Sequence, residues 1–376
     1  MLLTQFSMFA SLFYYIIRAT VILYGNTVFA MYMNLFYPNI ETFADLNFSP
    51  VIFGDDLCNR SPQITISNVP WNWISMLGRG KITLRGHMDG KNVFVKKMAD
   101  PEEFSKLHKK AENLLGDPKV SVDMLIDKID KSVRQIDQKL ILCPQETEVR
   151  DLLGEIRKTQ DFKQLISIWT SLEVNPEAAM LQMLQPPMWP VPKYYGACGS
   201  LIVVEDCGDM LSDYYDKSYN QRARISAKLL RMAMMFTFRH AKYAFYFTDF
   251  SPDNIAVDSN ENVCLVDLEH IYVVDKYPKD TSHYPNWNIT YSASHYNCQD
   301  CFLFRPSEIC SHHLSDQNIL SVCREILFTS SVIFKEGFLY DSPADIFWLI
   351  YDCVNVSPGE TRFKIAEQLI TTLEKY

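Results

Sequence analysis

The feature that most constrains the fold is the stretch of residues 247–267, which places two aspartates and one asparagine around a short hairpin. Asp249 is followed five positions later by Asn254, and Asp267 lies near the end of the stretch. Between Asn254 and Asp267, two apolar runs flank a polar turn, a pattern that predicts two short strands. A hairpin of this kind holds the polar side chains at its two ends along one edge.

These residue types, in this order, match the chemical needs of phosphoryl transfer. A protein kinase catalytic loop carries an aspartate and, five positions later, an asparagine, and a hairpin then leads to a second aspartate. One carboxylate orients the acceptor hydroxyl, while a carboxylate and an amide hold divalent ions on the phosphates. The spacing predicts Asp249 as the catalytic residue and Asn254 and Asp267 as metal ligands. A surface turn rich in Asp and Asn that only starts a hairpin is the alternative interpretation.

A glycine turn and a strand that carries a lysine precede this loop in the chain. Gly78 and Gly80 lie between two strand-like runs, and a strand that ends in Lys96 follows an Asp-Gly turn. This order predicts a loop that covers the phosphates and a lysine that binds the nucleotide. Because side chains alternate along a strand, Lys96 and Lys97 point to opposite faces, and Lys96 is the preferred candidate. A lone two-glycine loop is also typical of an ordinary hairpin.

The start of a helix follows Lys96 and offers it a partner. Asp100, Pro101 and Glu103 follow the pattern of a helix cap, a proline in the first turn and a carboxylate three residues later. Kinases hold the strand lysine with a carboxylate on the next helix, so Glu103 is the candidate partner of Lys96. The alternative is that the acidic residues of the first turn only complement the helix dipole.

Further elements connect these residues to the catalytic loop. Residues 193–208 predict two strands joined by a glycine turn. From Arg222 to Ala241, apolar residues recur at helical spacing and predict a buried helix that leads into the loop. Residues 120–183 also show helical periodicity, which predicts a helical insertion.

Several stretches of the sequence resemble one known family. They are residues 192–199 (PKYYGACG), 249–254 (DFSPDN), 266–269 (VDLE), 316–318 (DQN) and 322–324 (VCR). Together they resemble the divergent protein kinase domain family of the secretory pathway, in its deleted-in-autism branch. The resemblance extends from about Phe53 to the C-terminus and is most specific from Lys193 to Cys323. It implies an α+β, two-lobed protein-kinase-like fold, ATP with Mg or Mn as cofactors, and entry into the secretory route.

Several positions depart from an ordinary kinase. Phe247 and Thr248 replace the His-Arg pair before the catalytic aspartate, and Ser251 replaces the loop lysine that helps to neutralise the transferred group. Glu269 stands where a glycine usually follows the metal aspartate, and its carboxylate either adds a metal ligand or repels one. Two functions stay open. One is a kinase that phosphorylates hydroxyls of secreted proteins or glycans, and the other is a pseudokinase that acts as a lumenal or secreted binding or signalling module.

The N-terminal region predicts contact with a membrane. From Phe6 to Tyr37 the only charged residue is Arg18, and a bilayer is spanned by about 20 apolar residues. This run predicts a type II signal anchor, with a cleaved signal peptide as the alternative. The resulting domain plan has an anchor or signal peptide at 1–40, a lumenal linker at 41–70, a small lobe with a helical insertion at 71–205 and a helical lobe at 206–376.

The number of cysteines indicates the cellular compartment, and the net charge indicates which binding partners are excluded. With a targeting segment present, ten cysteines favour disulfides and the lumen of the endoplasmic reticulum or Golgi. A zinc site of Cys298 and Cys301 with Cys310 or nearby histidines is the alternative, and Cys264, in an apolar strand, is expected to be a buried free thiol. The sequon at 288–290 predicts glycosylation. A net charge of −9 argues against a nucleic-acid partner.

Overall fold

The computed structural model describes residues 15–25, 28, 57, 64–66, 83–99, 101–135, 138–157, 161–294, 305–328, 336–357 and 361–376. The chain divides into two compact units, one of residues 1–110 with 195–206 and one of residues 111–194 with 207–376. The helical segment 111–194, which the sequence analysis placed in the small lobe, therefore belongs to the second unit. Gly78 and Gly80 of the predicted glycine loop lie outside the described residues.

The described part of the N-terminal region is helical. Residues 15–25 form a helix with exposed side chains. Among the helices in the described ranges, none is both long enough and apolar enough to cross a bilayer. Most of the predicted anchor at 1–40 lies outside the described residues, so it stays a prediction.

The first unit is built on a five-stranded sheet with the strand order β1-β2-β3-β6-β5. The strands are β1 (Ile64–Ile66), β2 (Thr83–Met88), β3 (Lys91–Lys97), β5 (Tyr194–Cys198) and β6 (Leu201–Glu205). Asp89 and Gly90 join β2 to β3 and both have positive φ, 51° and 75°. Two such residues suit the tight turn whose twist matches a hairpin, which confirms the predicted Asp-Gly turn.

A helix follows β3 in the chain. Helix α1 (Pro101–Gly116) begins at the predicted proline and carries Glu102 and Glu103 in its first turn. Phe104, Leu107 and Ala111 are buried at helical spacing. The predicted helix start is confirmed.

The second unit is mainly helical. Its helices are α2 (Val122–Val133), α3 (Val149–Ile156), α4 (Phe162–Val174), α5 (Glu177–Met183), α6 (Tyr219–Phe238), α7 (Pro306–Cys310), α8 (Gln317–Ser321), α9 (Ala344–Val354) and α10 (Arg362–Leu373). Helices α2 to α5 confirm the helical periodicity of the insertion. Helix α6 is the predicted buried helix, and it begins earlier than predicted because Ser218 caps it by accepting a hydrogen bond from the Gln221 amide.

Strands from two small sheets of the second unit precede and follow the predicted catalytic loop, residues 249–254. The first contains β4 (Leu140–Cys143), β11 (Ile271–Asp275) and β8 (Tyr243–Phe247) in that order. The second contains β10 (Val263–Leu265), β9 (Ile255–Val257) and β7 (Asp209–Met210) in that order. The central strand β11 is antiparallel to β8 and parallel to β4. The predicted hairpin is therefore confirmed as β9 and β10, and the inserted strand β4 pairs with β11.

Disulfides connect distant parts of the second unit. The bridges join Cys143 to Cys310, Cys207 to Cys264, and Cys323 to Cys353. Within the described ranges there is no free cysteine. The bridge at Cys310 removes that thiol from the alternative zinc site, whose Cys298 and Cys301 lie outside the described residues.

The prediction of a free thiol at Cys264 is wrong, because Cys264 forms a disulfide with Cys207, and the pairing of β7 with β9 explains this bridge. This pairing brings residues 207–208 against the hairpin, where the Cys207 sulfur reaches Cys264. The approach is so close that a Cβ atom on Gly208 would lie 2.2 Å from the carbonyl oxygen of Val257. Gly208 also has a φ of 116°, which favours glycine.

Candidate functional site

Strand β8 leads from the core of the second unit into the predicted catalytic loop. All five of its residues are buried. Asn318, itself fully buried, donates from Nδ2 to the carbonyl oxygen of Phe245 at 2.8 Å and to Thr237 Oγ1 at 3.1 Å. Its Oδ1 accepts a hydrogen bond from the amide of Phe247 at 3.3 Å. A single side chain on α8 thus satisfies two main-chain groups at the end of β8.

The loop itself presents Asp249 to solvent. The amide of Thr248 donates to the carbonyl oxygen of His270 at 3.3 Å, which continues the β8–β11 pairing by one residue. Phe250 is buried and packs edge-to-face with Phe247, with ring centroids 6.1 Å apart. Asp249 between them is exposed, and across the described residues its carboxylate takes part in no hydrogen bond or ion pair. This geometry suits a carboxylate that must meet an incoming hydroxyl.

Asn254 joins the two ends of the predicted site. Its Nδ2 donates to the carbonyl oxygen of Asp249 at 3.2 Å. Its carbonyl oxygen accepts from the amide of Val266 at 2.9 Å, and its own amide donates to the carbonyl oxygen of Ser251 at 3.0 Å. Asn254 therefore fixes the loop against the residue that precedes Asp267. These contacts join Asp249, Asn254 and the residue before Asp267 at one end of the β9–β10 hairpin, and the roles of the three side chains stay predictions.

The tip of this hairpin is fixed to α6. Arg224 donates from Nε and Nη2 to both carboxylate oxygens of Glu261, each at 2.7 Å. Lys228 donates to the carbonyl oxygen of Asn260 at 2.9 Å. The hydrogen bonds from Arg224 hold the pKa of the Glu261 carboxyl below its ordinary value of 4.5. The hairpin is thus held at both its tip and its edge.

The half-buried Asp267 carboxylate is oriented by its own loop. Its Oδ1 accepts a hydrogen bond from the amide of Glu269 at 2.9 Å. A carboxylate oxygen and an amide oxygen are ligands that Mg²⁺ accepts beside phosphate oxygens. The donor set of Asp267 and Asn254 therefore fits a divalent ion on a nucleotide.

A residue that the sequence analysis missed neutralises Glu269. The Lys139 Nζ lies 2.5 Å from Glu269 Oε1. Lys139 directly precedes the apolar run of β4, and nothing in its local sequence marks it as part of the site. The carboxylate in the usual place of a glycine is thus paired within the fold.

A buried ion pair supports α8, the helix that carries Asn318. Arg362 Nη1 lies 2.5 Å from Asp316 Oδ2, and the two side chains are 2% and 4% exposed. Asp316 Oδ1 also accepts from the amide of Ala293 at 2.7 Å, and Arg362 Nε donates to the carbonyl oxygen of Cys353 at 2.6 Å. Burial raises the pKa of Asp316 against the opposing effect of the guanidinium. The pair holds the start of α8, and through Asn318 it supports β8.

The first unit contains Lys96 and Glu103. Lys96 lies on β3 opposite Thr83. Val93 and Val95 of the same strand belong to the apolar core of this unit, so Lys96 points to the other face and the predicted alternation is confirmed. Glu103 is exposed in the first turn of α1. The pairing of Glu103 with Lys96 stays a prediction.

The chain is similar in sequence to known proteins over most of its length. The family model described as the protein-kinase domain of FAM69 matches residues 168–356. Divergent protein kinase domain 2A from Xenopus tropicalis is 24% identical over 369 residues, which cover 87% of this chain and 86% of that protein. The Homo sapiens protein of the same name is 23% identical over 378 residues with the same coverage.

Two further matches are more limited. Divergent protein kinase domain 2B from Homo sapiens is 30% identical over 107 residues, which cover 28% of this chain and 24% of that protein. A solved structure, of a Mycobacterium tuberculosis protein in complex with erythromycin, has a TM-score of 0.26 and 12% identity over 52% of this chain and 44% of the other. Since the family model spans half of the chain and includes the catalytic loop, this chain belongs to the FAM69 protein-kinase domain family, a divergent kinase-like family.

Proposed function

We propose that this protein binds ATP with Mg or Mn and transfers the γ-phosphoryl group to a hydroxyl of a secreted protein or glycan. The observation that carries the proposal is the shared edge of the hairpin. There the Asn254 side-chain amide donates to the backbone carbonyl oxygen of Asp249. The backbone carbonyl oxygen of Asn254 accepts from the amide of Val266, the residue before Asp267. This arrangement supports the assignment of one carboxylate to the acceptor and of two oxygen donors to an ion.

In the proposed reaction, different residues of the second unit bind the metal ion and orient the acceptor. Asp267 and Asn254 would hold the divalent ion, which supplies positive charge to the phosphate oxygens when bound. Asp249 would orient the acceptor hydroxyl and accept its proton while the hydroxyl oxygen forms its bond to phosphorus and the bond from phosphorus to the ADP oxygen breaks. In the first unit, Lys96 is the proposed phosphate contact, with Glu103 as its proposed partner.

The second candidate is a pseudokinase that acts as a binding or signalling module. The observation that favours it is Ser251, which stands in the place of the loop lysine and carries no charge. A loop without that lysine leaves part of the charge of the transferred group unneutralised. Nucleotide binding without turnover is the expected behaviour of this alternative.

The proposed compartment is the secretory pathway, in the lumen of the endoplasmic reticulum or Golgi, for a type II membrane protein or a secreted one. Three disulfides within the described ranges support it, because such bridges persist in oxidising compartments. Asn288, in the sequon at 288–290, is exposed. We expect expression in cells to give a glycosylated chain whose shift on endoglycosidase treatment disappears in Asn288→Gln. A parent chain that does not shift contradicts a lumenal location.

Calorimetric titration with ATP, with and without Mg²⁺, tests the function. Asp267→Ala should abolish the metal-dependent part of the affinity, while Asp249→Ala should bind nucleotide and lose turnover. The matched control is Asp253→Ala, an exposed carboxylate of the same loop. If Asp267→Ala binds Mg-ATP as the parent and the control do, the kinase-like site is vestigial.

A further inference from the structure

The inserted strand β4 lies directly beside the metal-binding loop. Four residue pairs join β4 to β11 in parallel, from Leu140 opposite Ile271 to Cys143 opposite Val274. The amide of Ile271 also donates to the carbonyl oxygen of Lys139 at 2.8 Å. This register places Lys139 next to the residues that lead from Asp267 into β11. The β4 segment is separated from this loop by more than a hundred residues of sequence.

The Lys139 ammonium connects two elements. Its Nζ lies 2.5 Å from Glu269 Oε1 and donates to the carbonyl oxygen of Val174, at the end of α4, at 2.6 Å. The two charged side chains are 28% and 12% exposed, so water only partly screens their attraction. His270 Nε2 is farther from the same carboxylate oxygen, at 4.0 Å, and is half exposed.

Glu269 connects Lys139 to Asp267. Its side chain is held by Lys139, and its backbone amide donates to Asp267 Oδ1 at 2.9 Å. The Val174 carbonyl at the end of α4, the Lys139 ammonium just before β4 and the Glu269 carboxylate in the loop therefore form one continuous set of contacts, which ends at the proposed metal ligand. Without the ammonium, the largely buried Glu269 carboxylate, two residues from Asp267, would lose the Lys139 charge and would repel phosphate.

We propose that Lys139 is a positioning residue of the metal-binding loop, which holds Glu269 so that its amide orients Asp267 and its charge is neutralised. This proposal rests on the proposed function only in that Asp267 is taken as the ligand of an ion bound to the nucleotide. It explains how the chain accommodates a glutamate in the usual place of a glycine. The helical insertion therefore has a part in the site that its sequence does not reveal.

The test compares three variants at this pair with one control. Lys139→Met removes the charge and keeps the length, Lys139→Arg restores a cation, and Lys139→Met with Glu269→Gln removes both charges. The control is Lys242→Met, since Lys242 is 31% exposed and pairs with Asp151 and, at 3.5 Å, with Asp275 at the far end of the same sheet. It reports the general cost of losing a half-buried ion pair.

Hydrogen exchange of peptides that span residues 266–270 is the first measurement, made without nucleotide. Lys139→Met should exchange at least about tenfold faster than the parent there, Lys139→Arg should stay close to the parent, and Lys242→Met should leave this peptide unchanged. Exchange in Lys139→Met that equals the parent overturns the proposal, whether or not the protein binds ATP.

The second measurement is the affinity for ATP with and without Mg²⁺. Loss of a direct outer partner of a metal ligand typically weakens the metal site about 10- to 100-fold. Lys139 acts one step farther out, through Glu269, so Lys139→Met should lose about tenfold, the lower end of this range, in the Mg²⁺-dependent part alone. The double variant should recover part of this loss because the negative charge that Lys139 neutralised is gone as well. If the parent binds ATP and Lys139→Met matches Lys242→Met, the pair is only structural. If the parent binds no ATP, the proposed function fails, and the exchange result still decides whether Lys139 positions the loop.

Discussion

The buried pair of Arg362 and Asp316 gives the sharpest prediction of stability. Arg362→Met keeps the length of the side chain and removes the guanidinium, which leaves the Asp316 carboxylate in a site where it is only 4% exposed. Arg362 also donates to the carbonyl oxygens of Cys353 and Ala293, and both lose a donor. Breaking a buried pair by removing one partner costs about 3–5 kcal/mol. We expect the free energy of unfolding to fall by this amount.

The control for this prediction is an exposed pair of the same chemistry. Arg231 Nη2 also lies 2.5 Å from a carboxylate oxygen, that of Glu374, but the two side chains are 54% and 45% exposed. Such pairs contribute about 0–1 kcal/mol, so Arg231→Met should change the stability little. The two variants separate the effect of burial from the effect of the ion pair itself.

Urea unfolding of the full chain, followed by tryptophan fluorescence, measures both variants. A shift of the midpoint without a change of slope reports stability alone. Combining Arg362→Met with Asp316→Leu should recover part of the loss, because no charge is then left buried without a partner. Equal midpoints for Arg362→Met and Arg231→Met would refute the reasoning that burial decides the cost.

Two further predictions concern the hairpin and the disulfides. The pKa of Glu261 is lowered in the folded state, so its pairing with Arg224 stabilises the protein above the ordinary pKa of 4.5, and this contribution is lost as the pH falls through the lower folded pKa. Glu261→Gln should therefore be less stable than the parent at pH 7, by up to about 1 kcal/mol. The difference should shrink as the pH falls below the ordinary pKa of 4.5 and through the lower folded pKa, which urea unfolding over an acidic pH series will show. Reduction should lower the melting temperature substantially, because each disulfide typically contributes about 2–4 kcal/mol, and thiol counting on the denatured, unreduced protein should find few free thiols. Free thiols at Cys207 and Cys264 would contradict the second expectation.

Much of the candidate site could be predicted from sequence because its pattern is local. The interval from Asp249 to Asn254 and the two apolar runs before Asp267 lie within a single hairpin. Alternation along β3 places the Lys96 side chain on the face of the sheet opposite to that of the buried Val95, and this too depends only on neighbouring residues. The periodicity of α6 likewise predicts which of its side chains are buried. Such features are decided over a few residues, where backbone geometry leaves few choices.

The sequence by itself therefore determined the kinase-like order of the elements, the hairpin and the three side chains at its edge. Only the tertiary structure decided that residues 111–194 belong to the second unit, that Cys264 is bonded to Cys207, and that Lys139 neutralises Glu269. Each of these depends on which distant segments lie side by side. The sequence of an apolar run such as β4 does not indicate which strand it will pair with. Periodicity specifies the buried face of an element but not the element that packs beside it. The partner is chosen when the whole unit packs.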